Sequence, residues 1–545
     1  MIERLIENWL TNLSERKNLD IPFRLLLEAE GHRVNGHRTI HGPLELGKDV
    51  VSWHPRKQRY YFFQLKSGDA TQNDWVEMER QMLLMAEVPY VHPNYHPGDP
   101  YQPVWVCTGQ LHESVRIALG LKNNEAHRQG KPTIEVWERS TLVKKFRDAF
   151  FDLLFVDDPF AVDFLKRWSQ ASEYLADEEE LRLFFHNYLF ALARITQPRE
   201  MRRHLATYTL MLTQLSQRYE ALGDLYSAID CTILGAVQLY EFIAIQQLKK
   251  SISQPSMQLT QELIGFFLQK LVNACSADLE AVENLIDPQG GMSEIWQLPL
   301  RVHGLAAKLG LSLLLKALHK HSYEAEQRLL CTTIERHPAF CHLVSESQMG
   351  SWWIAILALL QSGQEALARS CVKQTLVWFM QFHGNEQFGL PDPYQPYQFA
   401  MNHHMRVEID TGKLQNMNRH SYLLPLLLKL LCYFGLRDDL SAYWKVISQM
   451  QVHEYVPSTV AELLEYRPRS GQMTVFGFPV TGSWAALQQL YTERLTGEIA
   501  EYVERYPEIL LLLALAYPWR AQWREMERYI IPSTAQFKTA VNIGR

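Results

Sequence analysis

Two dense apolar runs, DVVSW (49–53) and YYFFQL (60–65), flank the polar stretch HPRKQR. Such runs around a short polar loop predict two buried strands joined as a β-hairpin. Upstream, MIERLIENWLTNL and PFRLLLEAE repeat apolar residues at helical spacing, with Pro22 suited to a first helical turn and Gly31 as a stop. HRV then begins an extended piece. Downstream, NDWVEMERQMLLMAE predicts an amphipathic helix with Asn73 or Asp74 as its N-cap. VWVCTG (104–109) predicts a buried central strand, LHESVRIALGL a helix, TIEVWERS a strand and TLVKKFRDAFFDLLF a closing helix. Strands alternating with helices imply an α/β sheet with at least one crossover, a domain over residues 1–155.

From about residue 160 the period changes. EEELRLFFHNYLFALARI, MRRHLATYTLMLTQLSQRYEAL, QELIGFFLQKLVNAC and YLLPLLLKLLCYFGL all repeat at 3.6 residues, which predicts a large all-α, repeat-like domain over 160–545. RYEALGDLYSAIDCTILGAVQLY is loosely similar to tetratricopeptide repeats, but no strict 34-residue period runs along the chain. PDPYQPYQF (391–399) and TVFGFPVTGSW (474–484) interrupt the helices as loops or a small strand pair.

Composition narrows the class. A chain of 545 residues, 47% hydrophobic and 21% charged, is globular and long enough for two or more domains. The N-terminus lacks the apolar core of a secretory signal. The runs SYLLPLLLKLLCYF and EILLLLALAYPW are too short or interrupted to span a bilayer. Seven scattered cysteines without a C-x-x-C pair fit reduced thiols, and the expectation is a cytoplasmic protein without a membrane partner. Residues 1–155 hold 20 Lys+Arg and 20 Asp+Glu, so the rest of the chain carries the whole net charge of -6. The basic pieces GHRVNGHRTIH and HPRKQR bracket Asp49; they are either a solvated surface or a phosphate-facing edge.

A turn centred between Arg56 and Lys57 would set Asp49 opposite Gln64 and put Gln64 and Lys66 on one face with Phe62. Three polar groups then converge at the open end of the hairpin. Each costs roughly 1–3 kcal/mol if buried without a partner. An Asp49–Lys66 salt bridge is the structural alternative to a working site. No GxxxxGK[ST] or G-x-S-x-G is present. NHH (402–404) and His420 lack a second spaced pair of ligands and read as loop or helix-surface histidines. Trp75 and Gln81, on the helix after Lys66, are either substrate-facing or packing residues.

Glycine, Asp49, an apolar strand and then Gln64-x-Lys66 at the end of the next strand resemble the PD-(D/E)xK nuclease superfamily, in its Q-x-K variant. The resemblance covers residues 1–155 at most and implies a restriction-endonuclease-like fold. It implies that Asp49 and Gln64 hold Mg²⁺ or Mn²⁺ and that Lys66 orients or deprotonates the attacking water. An additional acidic residue completes such sites. Glu45 is the first choice here, with Glu30, then Glu28 and Asp20, as alternatives. The implied activity is metal-dependent hydrolysis of nucleic acid, with double-stranded DNA expected. The helical domain would take a protein partner or a second copy, restraining an effector of prokaryotic defence against phage or plasmids. The rival is a helical scaffold whose nuclease-like domain is inactive and only binds nucleic acid.

Overall fold

A five-stranded mixed sheet organises the N-terminal part of the computed structural model, which describes residues 6–7, 10, 17–34, 47–87, 98–151, 164, 167, 178–191, 197–279, 292–384, 389–393, 420–465, 475–479, 497–521 and 525–526. Its strands are β1 (Arg33–Val34), β2 (Val50–His54), β3 (Arg59–Lys66), β4 (Tyr101–Cys107) and β5 (Glu135–Trp137), in sequential order across the sheet. The first three are antiparallel, and β3, β4 and β5 are parallel. Parallel neighbours need crossovers, and helices supply both. Helix α1 (Lys17–Ala29) precedes β1, α2 (Gln72–Glu87) joins β3 to β4, α3 (Glu113–Arg128) joins β4 to β5, and α4 (Arg139–Phe146) follows β5.

Side-chain alternation divides the core between the two sheet faces. Phe62, Val51, Trp105 and Cys107 pack with Trp75, Met78 and Met82 of α2 and Val115 and Leu119 of α3. On the other face Val50, Tyr61, Phe63, Leu65, Val104 and Val106 meet Phe23, Leu26 and Leu27 of α1 and Leu142 and Phe146 of α4. That second cluster also takes in Ala206, Leu210 and Leu259. The chain divides into two compact units, and the first comprises residues 1–174, 187–215 and 249–259. Helix α1 begins at Lys17, so Pro22 lies inside it and not in its first turn. The apolar stripe starts earlier than Pro22, at fully buried Leu19, and the helix keeps that stripe at the expense of one backbone hydrogen bond.

His32, just before β1, is buried on the α1 face. Its Nδ1 lies 2.8 Å from Ser52 Oγ, and its ring packs 4.6 Å from that of His54. Burial first, then the neighbouring His54 and Lys57 charges, lower its pKa from 6.5 to about 3. An unfolded His32 takes up a proton near pH 6.5, whereas the folded one takes it up only near 3. Stability therefore falls as pH drops through that window, and is indifferent to this group above it. In His32→Gln, the thermal midpoint should fall less steeply between pH 6.5 and 3 than in the wild type, as calorimetry would read. Parallel curves would remove His32 as a source of acid sensitivity.

The second unit, residues 175–186, 216–248 and 260–545, is mainly helical. It contains α7 (Leu225–Ile245), α9 (Met292–Leu318), α10 (Glu324–Arg336), α11 (Met349–Gln361), α12 (Glu365–His383), α13 (Leu424–Tyr433), α14 (Glu498–Arg505) and α15 (Glu508–Ala516). Helices α5 (Glu178–Ala191), α6 (Pro198–Ala221) and α8 (Lys250–Ala277) contribute residues to both units. A Cβ on Gly350 of α11 would stand 1.7 Å from the Ala514 carbonyl of α15, so those two backbones touch where only glycine fits. Helix α7 has the length and composition of a membrane span, but 83% of its apolar window is buried within the protein, as in a core helix.

The second region is not all-α. Strands β6 (His420–Ser421), β7 (Gln451–Tyr455) and β8 (Val475–Pro479) form a three-stranded sheet. The segment 474–484 thus supplies a strand, whose partner is the distant β7, in antiparallel register. Two-residue β6 and the polar QVHEY of β7 carry no apolar run to announce a strand; their pairing is non-local.

Candidate active site

The polar strand ends meet where the hairpin opens. The register Val50↔Phe63 and Val51↔Phe62, continued by one residue, sets Asp49 opposite Gln64. Asp49 is 6% exposed and Gln64 2%. Asp49 Oδ2 accepts a 2.7 Å hydrogen bond from Gln64 Nε2 and a 2.6 Å bond from the backbone N–H of Leu65. Gln64 Oε1 is buried and has no hydrogen-bond partner among the described residues. Its register neighbour on β4, Trp105, likewise has a buried Nε1–H without an acceptor. A buried amide oxygen left without any partner costs about 1–3 kcal/mol.

A tight backbone contact fixes the loop that delivers Asp49. Gly47 has φ +74°, and a Cβ there would lie 2.1 Å from the Gln81 carbonyl of α2. Lys48 follows the same surface. Its Nζ reaches the Leu84 carbonyl at 3.4 Å and lies 5.3 Å from the Phe62 ring centroid, and burial lowers its pKa to about 8.

Lys66 ends β3 on the same face as Gln64. Its ammonium pairs with Asp74 Oδ1 at 2.7 Å, and the two side chains are 27% and 26% exposed. The ion pair anticipated for Lys66 was with Asp49; the partner it takes is Asp74. Nor is Asp74 an N-cap. It is the third residue of α2 and reaches back, Oδ2 accepting from Thr71 N at 2.9 Å and Thr71 Oγ1 at 2.6 Å. The Lys66 and Thr71 hydrogen bonds hold its carboxyl well below the usual carboxylate range. Both partners of this pair are half-buried. The spacing Thr71-x-x-Asp74 has the form of a capping box, and was the signal for a carboxylate beside Lys66 that the strand motif did not contain.

The remaining acidic candidates separate. Glu45 lies outside the described residues. Glu30 is held by Lys145 of α4 at 2.9 Å, and that lysine stacks 3.8 Å from the ring centroid of Trp137. Trp137 and α4 belong to the α1 face of the sheet, opposite the one to which Asp49 and Gln64 turn, so Glu30 is not brought to Asp49. Asp20 pairs with Arg24 within α1 at 3.0 Å. Glu28 lies on that same helix. Among the described residues no three His, Cys, Asp or Glu side chains converge as a metal-binding group. Trp75 is a core residue, its ring 5.9 Å from that of Trp105. Gln81 serves the site through its backbone carbonyl against Gly47. Cys107 is buried, and burial pushes its thiol up to about 11, so it is no thiolate nucleophile at neutral pH. His420 lies on β6, neither on a loop nor on a helix, with Nε2 2.8 Å from Asp392 Oδ1. The histidines at 402–404 are outside the described residues.

Asp49 and Gln64, joined through the Gln64 amide nitrogen, carry oxygen atoms of the hard type that Mg²⁺ or Mn²⁺ takes, and both side chains are buried. Mg²⁺ characteristically keeps several waters and takes only one or two protein carboxylates together with substrate phosphate oxygens. The donors present fit that demand. Compared with protein-family models, curated proteins and solved structures, the chain has no match.

Proposed function

We propose that the protein is a metal-dependent nuclease that hydrolyses phosphodiester bonds, with double-stranded DNA as substrate. The observation that carries this reading is the buried Asp49–Gln64 pair, with Gln64 Oε1 unsatisfied, two residues before Lys66. In this reading the N-terminal unit belongs with PD-(D/E)xK, restriction-endonuclease-like domains. Asp49 and Gln64 hold the divalent ion, and Glu45 remains the candidate for the additional acidic ligand. Bound metal supplies Lewis-acid stabilisation of the phosphate and lowers the pKa of water. Lys66, released from Asp74 by the incoming phosphate, orients the attacking water and offsets charge on the phosphate oxygens.

The helical unit would hold the nuclease in check through a protein partner or a second copy, as suits an effector of defence against phage or plasmids. Its negative charge disfavours a role in wrapping DNA, where affinity comes from neutralised phosphates. A second reading, a scaffold whose nuclease-like unit only binds nucleic acid, is favoured by one observation: Asp74 already occupies Lys66.

Incubation of the full chain with plasmid, linear duplex and RNA, with and without Mg²⁺ or Mn²⁺, separates the two. Metal-dependent cutting is expected, abolished by Lys66→Ala at equal folded concentration. Gln64→Glu should retain metal binding and some cutting, since a carboxylate oxygen replaces the amide oxygen. Full activity in Lys66→Ala at equal folded concentration would refute this assignment.

A further inference from the structure

The hairpin turn at the far end of β2 and β3 concentrates positive charge that the fold does not neutralise. Arg56 and Lys57 are exposed, Arg59 is half-buried, and Arg33, exposed on the edge strand β1, is opposed in register to Trp53. None of these four side chains makes an ion pair among the described residues. Elsewhere in the same unit many cations are paired, Lys66 with Asp74, Arg116 with Glu138, Lys122 with Glu79, Lys131 with Glu87 and Arg139 with Asp69, and the exposed Arg80, Arg128 and Lys144 lie on helices, far apart in sequence, rather than together on one turn. The turn is also rigid. Gln58 adopts φ 50° and its side-chain amide donates to the Pro55 carbonyl at 2.6 Å, while Lys57 Nζ lies 5.5 Å from the Tyr61 ring centroid. Three like charges within four residues of one turn repel one another unless a polyanion is bound.

We infer that Arg56, Lys57 and Arg59 form a phosphate-contacting surface that holds the nucleic-acid backbone, an inference that rests on the nuclease reading for the identity of its partner. Strand β2 spans five residues, about 16 Å at 3.3 Å per residue. At about 3.4 Å per base pair, the turn would grip phosphates about 5 base pairs from the bond presented to Asp49. Such contacts carry no sequence information and set the register of the substrate on the protein. The helix-covered sheet faces leave the hairpin turn and its edge strand as the basic rim of this unit, in line with the phosphate-facing edge that HPRKQR allowed.

The test uses the full chain, wild type and an R56Q/K57Q/R59Q variant, with a fluorescent duplex of about 30 base pairs followed by anisotropy in Ca²⁺. Removing three phosphate contacts should flatten the slope of log K against log[salt] by about 2.7, which makes the loss of affinity between 50 and 200 mM salt about 40-fold smaller. Unchanged circular dichroism and melting would show that the variant is folded. The same slope in both proteins overturns the inference even if the wild type cuts DNA. A flattened slope supports it even if Lys66→Ala keeps full activity, in which case only the nuclease reading falls. Equal or tighter binding of poly-glutamate than of duplex by the wild type would overturn nucleic acid as the partner.

Discussion

Asp49→Asn is expected to reduce metal-dependent cleavage by about 10³-fold or more while the protein stays folded. A divalent ion supplies several kcal/mol of charge stabilisation at the phosphate, and each 1.36 kcal/mol is tenfold in rate. Loss of the one described carboxylate beside Gln64 removes the anchor for that ion. The choice of asparagine matters. Asp49 is buried and accepts from both Gln64 Nε2 and Leu65 N, so alanine would strand two buried donors at about 1–3 kcal/mol each and confuse instability with lost chemistry. Asparagine keeps an acceptor for Leu65, and Gln64 can turn its amide to match. Isothermal titration with Mn²⁺ should show the loss of binding that accompanies the loss of rate. Cleavage within a few-fold of wild type would remove Asp49 from the mechanism.

Gly47→Ala should be the most damaging single change near the site without touching a polar group. At φ +74° an L-residue carries about 1–2 kcal/mol of strain. The added Cβ would also stand 2.1 Å from the Gln81 carbonyl, inside any tolerable contact, so the loop or α2 must move. A total near 3 kcal/mol corresponds to roughly 6–12 °C in the thermal transition of a unit this size. Scanning calorimetry of the full chain should show the first unit's transition falling by that amount while the second unit's stays in place. Because the same loop carries Asp49, cleavage should fall further than the unfolded fraction alone explains. A melting curve identical to wild type would mean that the loop relaxes without cost and that Gly47 does not set the position of Asp49.

The strand-level part of the site was legible because it rests on period and turn length alone. Apolar runs on both sides of HPRKQR specified the hairpin, the turn specified the register, and alternation then put Gln64 and Lys66 together on one face. What was not legible depended on packing between distant segments. Glu30 looked close to Asp49 in sequence, yet α1 ends on the opposite face, where Lys145, 115 residues later, takes its carboxylate. The partner of Lys66 is on the next helix, and only the position of the first turn of α2 decides that Asp74 faces it. In the second unit, Glu346 is buried and accepts from the backbone N–H of Tyr422 at 2.8 Å and from the hydroxyl of Ser421. Burial first pushes its carboxyl up to about 7. No local pattern links residues 346 and 421, and nothing in either segment alone announced the contact.

The buried cluster on the second face of the N-terminal sheet also includes Ala206, Leu210 and Leu259. A ribosome releases the chain in order at about 5–20 residues per second. The hairpin with Asp49, Gln64 and Lys66 has emerged long before those three residues exist. For the roughly 100 residues after the fifth strand and its following helix, about 5–20 s of synthesis, that cluster is short of three of its buried members. Completion of that core is thereby tied to translation through residue 259. A message truncated soon after residue 155 would yield a fragment whose apolar cluster lacks those members, and such a fragment is open to proteases.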